Sequence, residues 1–411
     1  MAGSFYSVQS SQEVVVTGWG CVSPLGGNTE STWSRLIAGE GARAPISCIP
    51  VEGCRVVEGA EAVMPKIDWL PKKSVSRLSR AARLALPAAR EAMVDAGILG
   101  SDGRSVFSRL EMSLSTTANG MELGEAFLQG VWAGNTRQQS SRVSRYPAQQ
   151  QVADLQQSLG FSGPAMVVSN ACASGANAIG HAADLVRGGF ANIVLAGGFE
   201  ALCELVYCGF DCLQALAPDD CRPFDANRRG LMLGEGAAFL VIESAVHAAA
   251  RGAKIKGRII GYGHTTDTHH ITQPDPTGGP LEICIRRALD QAGLQHSAIG
   301  HINAHGTGTP FNDSAEAAAF ARVFTENSPP RLVSTKAAIG HTLGAAGTLE
   351  AVFSLLALQT RRIPPQIKTT TPIPEVAGWL AQPGEVLEKP VVLSVNLGFG
   401  GSNAALLLAA V

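Results

Sequence analysis

Ala165-Met-Val-Val-Ser-Asn-Ala-Cys-Ala-Ser-Gly175 is the stretch that decides the fold. Its first five residues read as a buried strand. Small residues then turn the chain, and a helix of small and apolar side chains runs to about Arg187. The plan recurs about 170 residues later. Val333-Ser-Thr-Lys336 ends a strand, a turn follows, and Thr342 to Leu358 reads as an alanine- and glycine-rich helix. A helix that is apolar all round belongs in a core. Two such units predict a duplicated molecule whose buried helices lie between stacked layers.

Outward from these units, strands and helices alternate. Val14 to Gly18, Ile193 to Ala196 and Ala237 to Glu243 read as strands, and Leu84 to Ala96 as an amphipathic helix. Thr29 to Ala38 reads as a helix with Asn28 or Thr29 as N-cap. A new strand starts at Lys256, which places a boundary near 254 and divides the chain into halves 1–254 and 255–411. The second half supplies helices over Leu281 to Ala292 and Ala315 to Phe324. Its strands are Ile299 to Ala304, Val391 to Val395 and Ala404 to Leu408. Such alternation predicts an α/β fold with largely parallel sheets. Gly130 to Tyr146 is polar and reads as a loop or interface arm.

Composition narrows the function classes. Of 411 residues, 45% are hydrophobic and 16% charged, and 46 are glycine. That suits tight packing, not disorder. A net charge of -2 removes the basic excess that nucleic acid binding needs. The segment Met1 to Glu13 lacks the basic and apolar regions of a secretory signal. No long apolar stretch without polar or glycine breaks is read, so no membrane span is expected. Nine cysteines, an odd number without a C-x-x-C pair, fit a reducing cytoplasm better than a disulfide framework.

Four places carry candidate chemistry. Cys172 lies at a strand-to-helix turn, where a helix N-terminus favours thiolate; a buried inert cysteine is the plainer alternative. His305 ends a strand in Asn303-Ala-His-Gly-Thr-Gly-Thr309, at the sheet edge where open α/β folds bind ligands. Lys336 and His341 lie in apolar company, where a lysine needs a partner, and Glu316 is the expected one. Asn396-Leu-Gly-Phe-Gly-Gly401 is a flexible turn around Phe399, or a plain hairpin. The cysteines and histidines lack the paired spacing of a zinc site, and no phosphate-cradling glycine motif appears.

Taken together, these motifs resemble the β-ketoacyl-acyl-carrier-protein synthases, in particular the synthase II type. The likeness runs over nearly the whole chain. It is carried by Ala171-Cys-Ala-Ser-Gly175, Arg222-Pro-Phe-Asp225, Gly234-Glu-Gly236, Asn303-Ala-His-Gly-Thr307, Ser334-Thr-Lys336, Gly340-His341 and Gly398-Phe-Gly-Gly401. The resemblance implies a thiolase-like fold: two β-α-β-α-β-α-β-β halves in five αβαβα layers, usually dimeric. It implies Cys172 as acyl-accepting nucleophile, His305 and His341 as catalytic histidines, and Lys336 paired with Glu316 in support. Phe399 would be the gate and an oxyanion N–H. Thr307, Thr309, Asn119 and Gly400 would meet the substrate. Lys66, Lys72, Lys73, Arg77 and Arg80 would dock an acyl carrier protein.

The implied reaction is decarboxylative condensation of an acyl chain with malonyl carrier protein, extending a fatty acid or polyketide by two carbons. No cofactor is implied beyond the phosphopantetheine that the substrate carries. The partners are a carrier protein and either a second copy or a chain-length-factor-like subunit. Arg229, Leu397, Gln214 and Asn119 depart from the common family pattern, and Asn119 points toward a polar or aryl chain. Two alternatives stay open: a non-catalytic partner subunit, which the presence of Cys172 opposes, and a thiolase. A thiolase would need a second cysteine near the C-terminus, and none follows Cys284.

Overall fold

The computed structural model describes residues 12–135, 137, 139–325 and 329–411. The segment expected not to be a secretory signal falls mostly outside these residues. Ten strands carry the architecture. The first five are β1 (Val14–Val22), β2 (Glu111–Ser115), β3 (Ala165–Val168), β4 (Ile193–Glu200) and β5 (Gly236–Ser244). The second five are β6 (Gly257–Thr266), β7 (Ile299–Asn303), β8 (Arg331–Val333), β9 (Val391–Gly398) and β10 (Ser402–Ala409).

The sheet order of the first set is β3-β2-β4-β5-β1, and of the second β8-β7-β9-β10-β6. The third, second and fourth strands of each set run parallel, and the fifth is antiparallel to both of its neighbours. The two sets therefore have one topology used twice. They join edge to edge through two residue pairs, Val15 with Arg258 and Val16 with Gly257, into a single ten-stranded ladder.

The main helices are α1 (Thr29–Ile37), α2 (Arg80–Asp95), α3 (Met121–Trp132), α4 (Ala148–Leu159), α5 (Ser174–Arg187), α6 (Glu204–Cys212), α7 (Gly279–Ala292), α8 (Pro310–Val323) and α9 (Ala346–Thr360). Asn28 caps α1 by accepting from Ser31 N. Three apolar cores define five layers. One packs α2 and α4 on the outer face of the first sheet, through residues such as Leu84, Leu155 and Phe239. One packs α7 and α8 on the outer face of the second, through Ile285, Phe320 and Leu407. The largest lies between the sheets and holds α5 and α9. The strands feed both sides by alternation: Phe239 and Val241 point outward while Ala238, Leu240 and Ile242 point to the middle.

Helix α9 is the second of the two apolar helices read from the sequence. Thirteen of its residues, from Ala346 to Leu358, are buried. A buried Leu or Val is worth about 1.5–3 kcal/mol by leaving water, so packing holds this helix. The run Leu343–Thr360 is long and apolar enough to cross a membrane by length and composition, but Gly344, Gly347 and Glu350 break it, as the sequence reading has it, and 89% of it is buried inside the protein. The segment 130–146 also differs from expectation. Helix α3 runs into it as far as Trp132 and a short helix occupies Gln139–Val143, while residues 136 and 138 lie outside the described residues.

Candidate active site

The two buried helices meet the site through matching short 3-10 turns, Ala171–Ala173 before α5 and Leu343–Ala345 before α9. In the first, Ala171 adopts φ +57, a conformation that costs a side-chain residue about 1–3 kcal/mol. The Ser174 hydroxyl braces it, accepting from Asn170 N at 2.8 Å and donating to Ala171 O at 2.5 Å. This sharp bend puts Cys172 at the base of a cavity of about 240 Å3. The turn after β9 presses on the same point. A Cβ on Gly398 would lie 3.0 Å from Asn170 O and 3.2 Å from Cys172 N, so a glycine there lets the turn approach Cys172 without pushing its backbone aside.

The second half brings the histidines. The ligand atoms of Cys172, His305 and His341 all lie within 4.8 Å of one another, and all three residues are buried. His341 Nε2 is 2.9 Å from Cys172 Sγ. The two imidazoles meet edge to face with centroids 5.1 Å apart. Leu343 N–H donates to His341 Nδ1 at 3.3 Å, so the ring proton belongs on Nε2, toward the sulfur and the cavity. That assignment bears on the metal alternative. Thiolate and imidazole are zinc ligands, but His341 presents an N–H to the cavity, not a lone pair. The arrangement suits donating hydrogen bonds to an oxygen.

Charge around the site is arranged differently from the expected Lys336–Glu316 pair. Lys336 pairs with Glu350, the single ionisable residue of α9. Asn396 Nδ2 donates to the other Glu350 oxygen at 2.7 Å. Glu316 is already engaged: it accepts from His305 N at 2.8 Å, Gly306 N at 2.6 Å and Asn312 Nδ2 at 2.7 Å. It holds the backbone of the histidine loop, and burial together with nearby Asp313 pushes its carboxyl up to about 8. Burial holds both histidines well below their ordinary value, and the Lys336 charge adds to this. Both rings are therefore neutral near pH 7. The sequence-based expectation of a thiolate at Cys172 meets an opposing force. Burial pushes that thiol up to about 12, against the pull of the Lys336 charge and the Phe399 N–H.

Among the other expected site residues, Thr307 and Thr309 line the cavity and share a 2.9 Å hydroxyl contact. Phe399 lies at the cavity, 39% exposed, and stacks on Phe210 at 5.8 Å. Gln214, Arg229 and Leu397 also line it. Two expected substrate contacts do not. Asn119 lies before α3, in a bend at φ +55 held by Thr116, away from the cavity wall. Gly400 gives its N–H to Ile271 O at 2.7 Å, and its neighbour Gly401 lines the wall instead. In the basic cluster, Lys66, Lys72, Lys73 and Arg77 are exposed. Arg80 is not free: it forms a two-pronged ion pair at 2.6 Å with fully buried Glu235.

Sequence reasoning missed Phe210, the Ile271 loop and Glu350. Only Glu350 carried a legible signal, as the lone charge in an apolar helix, which demands a buried partner.

Comparison with known proteins agrees with this geometry. Residues 11–248 match the beta-ketoacyl synthase N-terminal domain family and 256–370 the C-terminal domain family. A 3-oxoacyl-(acyl-carrier-protein) synthase 2 from Staphylococcus aureus (strain N315) is 35% identical over 409 residues, covering 97% of this chain and 98% of its own. The structure described as the ishigamide ketosynthase/chain length factor superposes with TM-score 0.87 at 32% identity, covering 98% of this chain and all of that one. A beta-ketoacyl synthase from Burkholderia phymatum superposes with TM-score 0.88 at 32% identity, over 97% of this chain and all of that one. The fold is thiolase-like, and the chain belongs to the β-ketoacyl synthase family of acyltransferases.

Proposed function

We propose that this enzyme extends a carrier-bound fatty acid or polyketide by decarboxylative condensation. Cys172 attacks the thioester of an acyl carrier protein, takes the acyl group and releases the carrier thiol. The N–H groups of Cys172 and Phe399 receive the oxyanion. Malonyl carrier protein follows. His305 and His341 donate hydrogen bonds to its thioester carbonyl, carbon dioxide leaves, and the electron pair of the broken C–C bond is held as an enolate. That carbanion attacks the acyl-Cys172 carbonyl, the C–S bond breaks to return the Cys172 thiolate, and the chain, two carbons longer, stays on the carrier protein. Thr307 and Thr309 would hold the phosphopantetheine arm, and no cofactor of the protein's own is needed. One observation carries this reading: a buried cysteine and two neutral imidazoles converge within 4.8 Å at the base of one cavity.

Exposed Lys66, Lys72, Lys73 and Arg77 supply positive charge for an acidic carrier protein. Nine free thiols suit the cytoplasm. A dimer, with either a second copy or a chain-length-factor-like subunit, is favoured over a lone subunit by the edge strand β3, whose Ala165 and Met166 are exposed. The polar-chain argument from Asn119 falls away, because that residue is not on the cavity wall. Intact mass after incubation with saturated, polyenoyl and aryl-polyenoyl carrier proteins tests the proposal. The expected result is a mass gain lost in Cys172→Ala, with the preferred chain naming the pathway. No gain with any chain on folded protein would overturn it in favour of a non-catalytic subunit.

A further inference from the structure

Glu200 ends β4 and is fully buried, and among the described residues it has no ion pair. A buried carboxylate without a cation needs every lone pair satisfied. Five donors do this. Ala118 N at 2.8 Å and the Thr116 hydroxyl at 3.2 Å reach Oε1. Thr117 N at 2.8 Å, the Thr117 hydroxyl at 2.5 Å and Gly344 N at 3.0 Å reach Oε2. Four donors belong to the loop after β2. The fifth belongs to the other half of the molecule, to the turn that carries the histidine contact. The fit is close: a Cβ on Gly344 would stand 2.8 Å from Glu200 Oε2 and 2.8 Å from the Thr116 backbone. The preceding residue, Leu343, is held at φ +47, and its N–H is the one that meets His341 Nδ1.

We infer that Glu200 is a positioning residue for the decarboxylation half of the reaction: by gripping the Leu343–Gly344 turn it keeps the Leu343 N–H on His341 Nδ1, and so keeps the ring proton on Nε2. The inference rests on the function proposed above. A local cap would be satisfied from its own loop. Glu200 instead ties the first half's loop to the second half's histidine. Its negative charge works against thiolate formation at Cys172, so it does not serve the nucleophile.

The test starts with the wild-type enzyme. Nitrogen-15 NMR of labelled histidine should show His341 as the Nε2–H tautomer, and an Nδ1–H tautomer would overturn the inference. In Glu200→Gln the amide N–H faces backbone N–H donors and expels one. The turn then loosens, the tautomers mix, and kcat for carbon dioxide release from malonyl carrier protein falls ~100-fold, the scale of a 1 Å misplacement. KM should hold, and alkylation of Cys172 by iodoacetamide should not slow. Gly344→Ala attacks the same contact with the carboxylate intact and should act alike. A merely structural role would slow alkylation and decarboxylation together. That result, or unchanged tautomer and kcat in both folded variants, would overturn the inference. If the wild type releases no carbon dioxide, the proposed function fails, while the tautomer comparison still judges Glu200.

Discussion

The two halves share one topology and finish it differently. In the second half, the outer strand β8 is sealed: Leu332 donates to Trp379 O at 2.8 Å and accepts from Ala381 N at 3.1 Å. In the first half, among the described residues, the equivalent strand β3 has no such cover. Ala165 and Met166 are exposed there, and nearby in sequence α3 has no buried residue, with Trp132 80% exposed. An open apolar edge invites another strand. The chemistry divides the same way. The first half bends one strained turn to present Cys172, the nucleophile of the proposed reaction. The second buries an ion pair and two neutral rings, the hydrogen-bond donors of that proposal. Two frames of one topology thus carry different turns.

Breaking the second half's chemistry should produce the largest effect. His305→Ala removes one of two donors to the developing enolate, so carbon dioxide release should fall ~100- to 1,000-fold, while acylation of Cys172 measured by mass stays within a few-fold. Equal loss of both steps would erase the division. Next is the ion pair. Lys336→Met strands Glu350 inside α9, and removing one partner of a buried pair costs about 3–5 kcal/mol. The urea midpoint should drop. Alkylation of Cys172 should also slow at fixed pH, because the lysine charge lowers that thiol's pKa. An unchanged midpoint would mean the pair is not what holds α9.

The pH dependence sharpens the comparison more gently. Both histidines act neutral, and their folded pKa values are depressed. Lowering pH through the ordinary histidine value of about 6.5 should therefore leave them uncharged. Carbon dioxide release should stay flat there, and an acid limb centred near 6.5 would contradict neutral donors. The smallest effect on the fold concerns the open edge. Met166→Lys should abolish association, read by light scattering, yet change monomer stability by only about 0.5 kcal/mol. A variant that still associates would place the partner elsewhere.

The sequence carried most of this fold because its signals were local. Apolar runs ending in glycine marked the strands, and the all-apolar helix could only be buried. Among the elements it left unread, α3, α4 and α6 have mixed or polar faces, α3 has no fully buried residue, and the strand β2 is short and opens on a glutamate. At the site, Cys172, His305 and His341 were legible from motif. The partner of Lys336 was not, because Glu316 and Glu350 are both buried acids and only the third dimension shows that backbone N–H groups already occupy the first. Asn119 and Gly400 were misplaced for a related reason: each sits in a positive-φ bend beside the site, where adjacency in sequence does not fix direction. Arg80 reads like its basic neighbours, but α2 turns it inward to Glu235.

The most direct test of a divided site is carbon dioxide release from malonyl carrier protein by Cys172→Ala. The nucleophile and the donors come from different halves. The variant should therefore form no elongated product, yet still release carbon dioxide, with that release lost when His305→Ala is added. Loss of release in Cys172→Ala alone, on folded protein, would contradict the account.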